Sequence, residues 1–234
     1  MTSLDAAGIS RLLRALDEEL AARGTTADVY LVGGAAIALS FDAARTTRDL
    51  DAVFVPTTQV REAAEAVAEA NGLASDWLND AVKGFVPPGT DAHQKVVFET
   101  PHLRVCVAGA EHLLAMKVAA SRVEQDRGDL ALLVHALGLS SADEAIAVAR
   151  ACLGPGYPIP PRAQYLLEEI FERQANPTDP PTRVRPPVEH GRGSPDTAQP
   201  PRQDNGFGLS LLRGQLGMRG DLALTWPFHA RCAG

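Results

Sequence analysis

The stretch that most constrains this chain is VYLVGGAAIALSFDAARTTRDLDAVFV, residues 29–55. An apolar run ends at Gly33-Gly34, an Ala-rich segment follows, and a polar loop leads to a second apolar run that opens with Asp49 and Asp51. Asp28–Val32 reads as a strand and the diglycine as its closing turn. Ala35–Phe41 holds strong helix formers and no breaker, so it reads as a short helix. Leu50–Val55 reads as the next strand, closed by Pro56. Acids are poor strand formers, so two of them at the head of a buried-looking strand need a reason.

Strand geometry supplies one. Side chains alternate across a strand, so Asp49 and Asp51 project to one face roughly 6.5–7 Å apart, and Leu50 goes to the other. Two like charges side by side repel and raise one pKa unless a cation joins them. A divalent metal answers that need. Mg²⁺ (or Mn²⁺) takes few carboxylates and completes its shell with water and phosphate oxygens. Paired metals about 3.5–4 Å apart serve in-line phosphoryl transfer. Gly33 and Gly34 add an anion cradle, because a backbone without Cβ atoms can approach phosphates closely. The N-terminus of the following helix adds free N–H groups and a positive dipole end. Either motif alone is common as a tight turn or a solvated strand end; together, in this order, they point to a metal-bridged triphosphate.

The rest of the chain reads as a mixed α/β body followed by helices. Ile9, Leu12, Leu13, Leu16 and Leu20 fall on one helical face within residues 4–23, which Gly24 ends. Thr57 or Thr58 can cap a helix running to Ala70, stopped by Asn71-Gly72. Residues 76–92 give no clear pattern. Lys95–Glu99 and Leu103–Val107 read as a hairpin joined at Pro101. Four helices are expected after it, over about 110–122, 126–138, 142–152 and 161–174, with Ser141 and Glu144 as a capping box. The expected organisation is an α/β core over 1–108, a helical subdomain over 109–175 and a tail over 176–234. Residues 176–201 carry eight prolines and almost no apolar side chain, the composition of an extended or disordered linker. Residues 206–228 regain Leu, Phe and Trp without a clean period.

Composition narrows the function classes. The formal net charge is −7 and only Lys83, Lys95 and Lys117 are lysines, so no general basic face advertises nucleic-acid binding. Cys106, Cys152 and Cys232 show neither metal-ligand spacing nor a disulfide framework, which suits a reducing cytosol. There is no apolar run long enough to span a bilayer and no signal-like N-terminus, so no membrane role is expected. His93, His102, His112 and His135 form no convergent pattern. Ser40 and Ser121 have no His at a telling spacing, so nucleophilic hydrolase chemistry has no support. Trp77 is a stacking candidate for a base, with packing as the plainer reading.

The order GG…DLD resembles the signature of the DNA polymerase β-like nucleotidyltransferase superfamily. More narrowly, GGAAIALSF…RTTRDLDAVF is similar to the abortive-infection or minimal-nucleotidyltransferase branch, with Arg45, Thr47, Asp49 and Asp51 on its Arg-x-Thr-x-Asp-Leu-Asp pattern. The loop from Gly34 to Asp49 is slightly longer than that branch usually has. EHLLAMKVAASRVEQDRGDLALLVHALGL, residues 111–139, resembles its helical block, placing Lys117, Arg122, Asp126 and Asp129 at the matching positions. Lys117 and Ser121 share a helix face by their spacing.

The resemblance implies a nucleotidyltransferase-fold mixed sheet flanked by helices. It implies an NMP group moved from an NTP to an acceptor hydroxyl, with Asp49 and Asp51 on the metal and Gly33 and Gly34 on the phosphates. Arg45, Thr47, Lys117, Arg122 and Asp129 would shape the pocket. It also implies a third acid, with Asp80 the first choice and Glu99 the second. The acceptors of that branch include tRNA ends, proteins and small molecules, and some members are toxins paired with an antitoxin. A different class of reading, a non-catalytic interaction protein on the same fold, gains weight if the third-acid position is unfilled.

Overall fold

A computed structural model describes residues 3–120 and 123–175. The described chain builds a mixed α/β fold around one five-stranded sheet. Helix α1, Ala6–Ala22, starts where Asp5 accepts a hydrogen bond from the Gly8 amide at 2.7 Å. Its apolar stripe (Ile9, Leu12, Leu13, Leu16, Leu20) is buried, as the period of the sequence predicts. Strand β1, Ala27–Leu31, leads through Gly33 into α2, Gly33–Ser40, which begins two residues earlier than its Ala-rich core suggests. Strand β2, Leu50–Val55, and helix α3, Thr57–Asn71, follow. Gly72 closes α3 with a left-handed φ of 63°.

The N-cap of α3 departs from expectation. Pro56 holds that position without a side-chain cap, and Thr57, already the first helical residue, donates its hydroxyl to the Phe54 carbonyl at 3.3 Å. The unclear segment contains a two-residue strand β3, Leu78–Asn79, and a 3₁₀ turn, Ala81–Gly84. Strands β4, Lys95–Glu99, and β5, Leu103–Val107, form the expected antiparallel hairpin, with an irregularity between Val96 and Phe98.

The strand order is β3-β2-β1-β5-β4. The central β1 runs antiparallel to β2 and parallel to β5, and β3 runs parallel to β2. Helix α1 packs on α2 and α3, and all three lie against the sheet. The chain then turns helical, through α4 (Ala110–Ala120), α5 (Val123–Ala136), α6 (Ala142–Leu153) and α7 (Pro161–Ala175), which pack mutually. Ser141 caps α6 by accepting from the Glu144 amide at 3.2 Å. The return bond of the box goes one residue further out, where Glu144 accepts from the Ser140 amide at 2.7 Å.

Tyr30, Phe54, Leu31, Leu50 and Leu103 are fully buried at the centre of the sheet. Burying one such side chain stabilises a fold by roughly 1.5–3 kcal/mol. The core therefore holds β1 and β2 in fixed register, and the two segments that matter for function, the Gly33 turn and the head of β2, lie at the same end of these strands. Among the described residues, no helix is long and apolar enough to cross a membrane.

Candidate active site

Strand register brings the diglycine and the aspartates together. Leu31 pairs with Ala52, and beyond it the Val32 amide donates to the Asp51 carbonyl at 2.9 Å. Gly33 then turns the chain with a φ of 62°, a conformation L side chains rarely adopt. It also has no room for a side chain, since a Cβ there would stand 3.0 Å from Asp51 Oδ2. Gly34 is needed for space alone, because its Cβ would meet Thr47 Oγ1 at 2.9 Å. Thr47 in turn donates its hydroxyl to the Asp49 carbonyl at 3.0 Å. The loop that carries Thr47 is pinned to the N-terminal segment, with Leu4 and Thr47 exchanging backbone hydrogen bonds of 2.7 and 2.9 Å. Gly33, Gly34, Thr47, Asp49 and Asp51 thus form one contiguous corner.

The electrostatics of that corner are one-sided. Asp49 and Asp51 are both half-buried. Burial, then the nearby charges of Asp51 and Asp76, push the Asp49 carboxyl above the usual carboxylate range. Among the described residues, no Lys or Arg side chain forms an ion pair with either aspartate. A long hydrogen bond of 3.4 Å from Asn79 Nδ2 reaches Asp49 Oδ2. Arg48 opposes the rise of the Asp49 carboxyl to a smaller extent, and two carboxylates without an ion-pair partner suit a hard divalent cation, which takes oxygen ligands and needs few of them from protein. Among the described residues, no group of three or more His, Cys, Asp or Glu converges as a metal site. A cavity of about 450 Å³ opens beside Asp49, lined by Leu4, Arg48, Asp49, Leu73, Asp76 and Trp77.

The second block of the sequence builds its own cluster. Lys117 Nζ lies 2.6 Å from Asp126 Oδ1 and 2.7 Å from Asp129 Oδ2. Arg45 Nη2, 84 residues away in sequence, donates to the same Asp129 oxygen at 3.0 Å. Both aspartates are buried. Helices α4 and α5 are thereby joined to the loop between α2 and β2. Arg45 Nε is buried and makes no hydrogen bond among the described residues. Arg122 and Ser121 lie outside the described residues.

The two candidates for a third acid are placed elsewhere. Asn79 is in register with Asp51. Its neighbour Asp80 therefore leaves the strand on the other side, where Arg61 Nη2 binds both its oxygens at 2.7 and 2.8 Å and Lys83 Nζ approaches at 2.9 Å. Burial acts to raise the Asp80 pKa, but the hydrogen bonds and charges of Arg61 and Lys83 outweigh it and hold the carboxyl below its usual range. Glu99 sits on edge strand β4 opposite Arg104. Arg104 pairs with Asp28 and Asp28 with Val55, so Glu99 lies at the end of the sheet remote from Asp51. Neither carboxylate is brought beside the pair.

Other residues resolve into packing. Trp77 is buried and donates its indole N–H to the Ala64 carbonyl at 2.9 Å, so its ring serves the core. The histidines find separate partners. His93 is 2.9 Å from Glu111, His112 is 3.5 Å from Asp91, and His102 is 3.3 Å from the Thr25 carbonyl. Sequence reasoning missed Asp91, a buried acid that accepts from the Tyr30 hydroxyl at 2.6 Å, the Gly109 amide at 2.7 Å and the His93 amide at 3.0 Å. It ties β1 to the start of α4, and no local motif announces it. It also missed Asn79, whose position is a matter of strand register.

A mixed sheet with a carboxylate pair held against a diglycine turn that opens a helix defines the nucleotidyltransferase fold. A family profile described as "Nucleotidyltransferase of unknown function (DUF6036)" matches residues 11–139, more than half of the 234 residues, and the chain belongs to that family. No curated protein and no solved structure matches it.

Proposed function

We propose that the protein transfers a nucleotidyl group from an NTP to an acceptor hydroxyl. The acceptor oxygen attacks the α-phosphorus, the bond from that phosphorus to the bridging β-phosphate oxygen breaks, pyrophosphate leaves, and the hydroxyl proton passes to solvent or a base. The observation that supports this most is the close approach of Asp51 Oδ2 to Gly33, with Asp49 close by in the bend just before β2. Asp49 and Asp51 would hold Mg²⁺ or Mn²⁺, which when bound neutralises phosphate charge and orients the reacting oxygens. Gly33 and Gly34 admit the phosphates to the backbone, and the N-terminus of α2, which has no side-chain cap, favours their charge.

Arg45 is the better placed of the two cations to meet phosphate, since its side chain is 39 % exposed whereas that of Lys117 is 12 % exposed. Lys117 supports it by holding Asp129, and Thr47 fixes the loop between them. Arg122 belongs to the same expected pocket.

The acceptor we propose is a tRNA end, a protein or a small molecule, in the manner of the abortive-infection branch. A toxin role with a cognate antitoxin, in the cytoplasm, is part of that reading. The net charge of −7 means that an RNA acceptor would have to be gripped locally. A second reading, a non-catalytic interaction protein on this fold, is favoured by one observation: Asn79 stands in register with Asp51 where an acid was expected.

Incubation with each α-labelled NTP, Mg²⁺ and total cell RNA and protein tests the first reading. Label should enter one pool with wild type and not with Asp49→Ala of unchanged circular dichroism. Equal labelling by that variant would reject the assignment.

A further inference from the structure

The residue beside the carboxylate pair is an amide, and its orientation is fixed at both ends. Because β3 runs parallel to β2 with Asn79 opposite Asp51, the Asn79 side chain shares the face of Asp51. Its Nδ2 donates to Asp49 Oδ2 at 3.4 Å, and its Oδ1 accepts from the Ala81 amide at 3.3 Å. Exchanging the amide's nitrogen and oxygen would set oxygen against carboxylate oxygen and N–H against N–H, so the network permits one orientation. Asn79 Oδ1 thus spends one of its two acceptor sites on the turn after β3 and offers a cation no charge. Asp80, one residue on, is carried to the other side and neutralised by Arg61 and Lys83.

We propose that Asn79 is a positioning residue that limits this site to one divalent ion bound by the protein alone. Asp49 and Asp51 bring two negative charges, enough to hold one hard cation. Among the described residues no third carboxylate converges on the pair, Asp76 being near enough to act on Asp49 by its charge but not grouped with it as a ligand set, so a second ion would depend on the phosphates of a bound NTP for its ligands. Asn79 adds orientation to Asp49 and no charge. The proposal rests on the nucleotidyltransferase reading above and goes beyond it by fixing the ion count and the residue responsible.

Mn²⁺ titration of the full chain, followed by the electron paramagnetic resonance signal of free Mn²⁺, tests it without any turnover. Wild type should bind one Mn²⁺ per chain. Asn79→Asp should gain a second ion or bind the first at least about tenfold more tightly, since ligand charge sets the affinity of such sites. Asn79→Ala should still bind one, a few-fold more weakly. Two ions on wild type overturn the proposal whatever the variants do. A folded Asn79→Asp that titrates like wild type overturns it as well. If wild type binds no Mn²⁺ that Asp51→Asn removes, the metal site itself fails and the broader reading falls with it, a result distinct from a wrong count.

Discussion

Two acidic clusters lie close in the sequence pattern and differ in what faces them. At the head of β2, Asp51 and, in the bend just before the strand, Asp49 have no ion-pair partner among the described residues, and burial and the charges of Asp51 and Asp76 push the Asp49 carboxyl up against a smaller opposing pull from Arg48. Between α4 and α5, Asp126 and Asp129 are more deeply buried, yet Lys117 and Arg45 stand against them at 2.6–3.0 Å. The second cluster is complete in charge and works as a clamp from the loop carrying Arg45 to the helices. The first keeps a like-charge repulsion that no ion pair among the described residues relieves. An acid pair without an ion-pair partner beside a backbone corner suits a cation-dependent anion site, whereas the paired cluster holds Arg45 in place at the side of the proposed pocket.

Substitutions should act oppositely on the two clusters. The largest effect is expected at the pair. Asp51→Asn should lower nucleotidyl transfer by about 10³-fold or more, since losing several kcal/mol of metal-borne stabilisation costs a tenfold rate per 1.36 kcal/mol. Its melting temperature without metal should hold or rise, because a like-charge repulsion is removed; a fall of many degrees would show that Asp51 is structural. At the clamp the order reverses. Lys117→Ala removes the ammonium that faces the buried Asp126 and Asp129 and should cost about 3–5 kcal/mol in urea unfolding. A loss under about 1 kcal/mol would break the comparison.

Gly33→Ala should come next, at about 1–2 kcal/mol for a left-handed L-residue. It should also weaken NTP binding, because the new methyl displaces the Asp51 carboxylate 3.0 Å away. Isothermal titration reads both wild type and variant.

The smallest effect is expected at Asp80. Its folded pKa is lowered by Arg61 and Lys83 against the contrary pull of burial. The stability it gives is present above the ordinary carboxylate pKa and is lost as pH falls through the lowered folded value. Asp80→Asn should therefore flatten the acid limb of a melting-temperature profile and leave transfer activity within a few-fold of wild type. Loss of activity comparable to Asp51→Asn would restore Asp80 to the reacting group.

Local periodicity made most of the fold legible. The Ile9–Leu20 stripe, the β1 and β2 runs and the β4–β5 hairpin are each long enough for pattern to decide them. The diglycine-aspartate corner was legible in outline, although Asp49 lies in a bend one residue before β2 and not on the strand itself. What escaped depends on distance and on single-residue register. Strand β3 spans only Leu78–Asn79, and alternation makes Asn79 and Asp80 exchange roles on a one-residue shift. Arg61, which holds Asp80, is 19 residues away on α3, beyond any local motif. The Arg45–Asp129 bond joins residues 84 apart, and only resemblance to a family pattern brought them into one pocket. The cap of α3 was misread because Thr57 was weighed for its hydroxyl, while Pro56 was already set to precede the first turn.

The most direct measurement is a thermal-shift series of wild type and Asp49→Ala with each NTP, with Mg²⁺ and with both. Wild type should gain several degrees only when nucleotide and metal are present together, and Asp49→Ala should gain none. Stabilisation of both proteins to the same extent, or indifference of wild type to every nucleotide with Mg²⁺, would contradict the account.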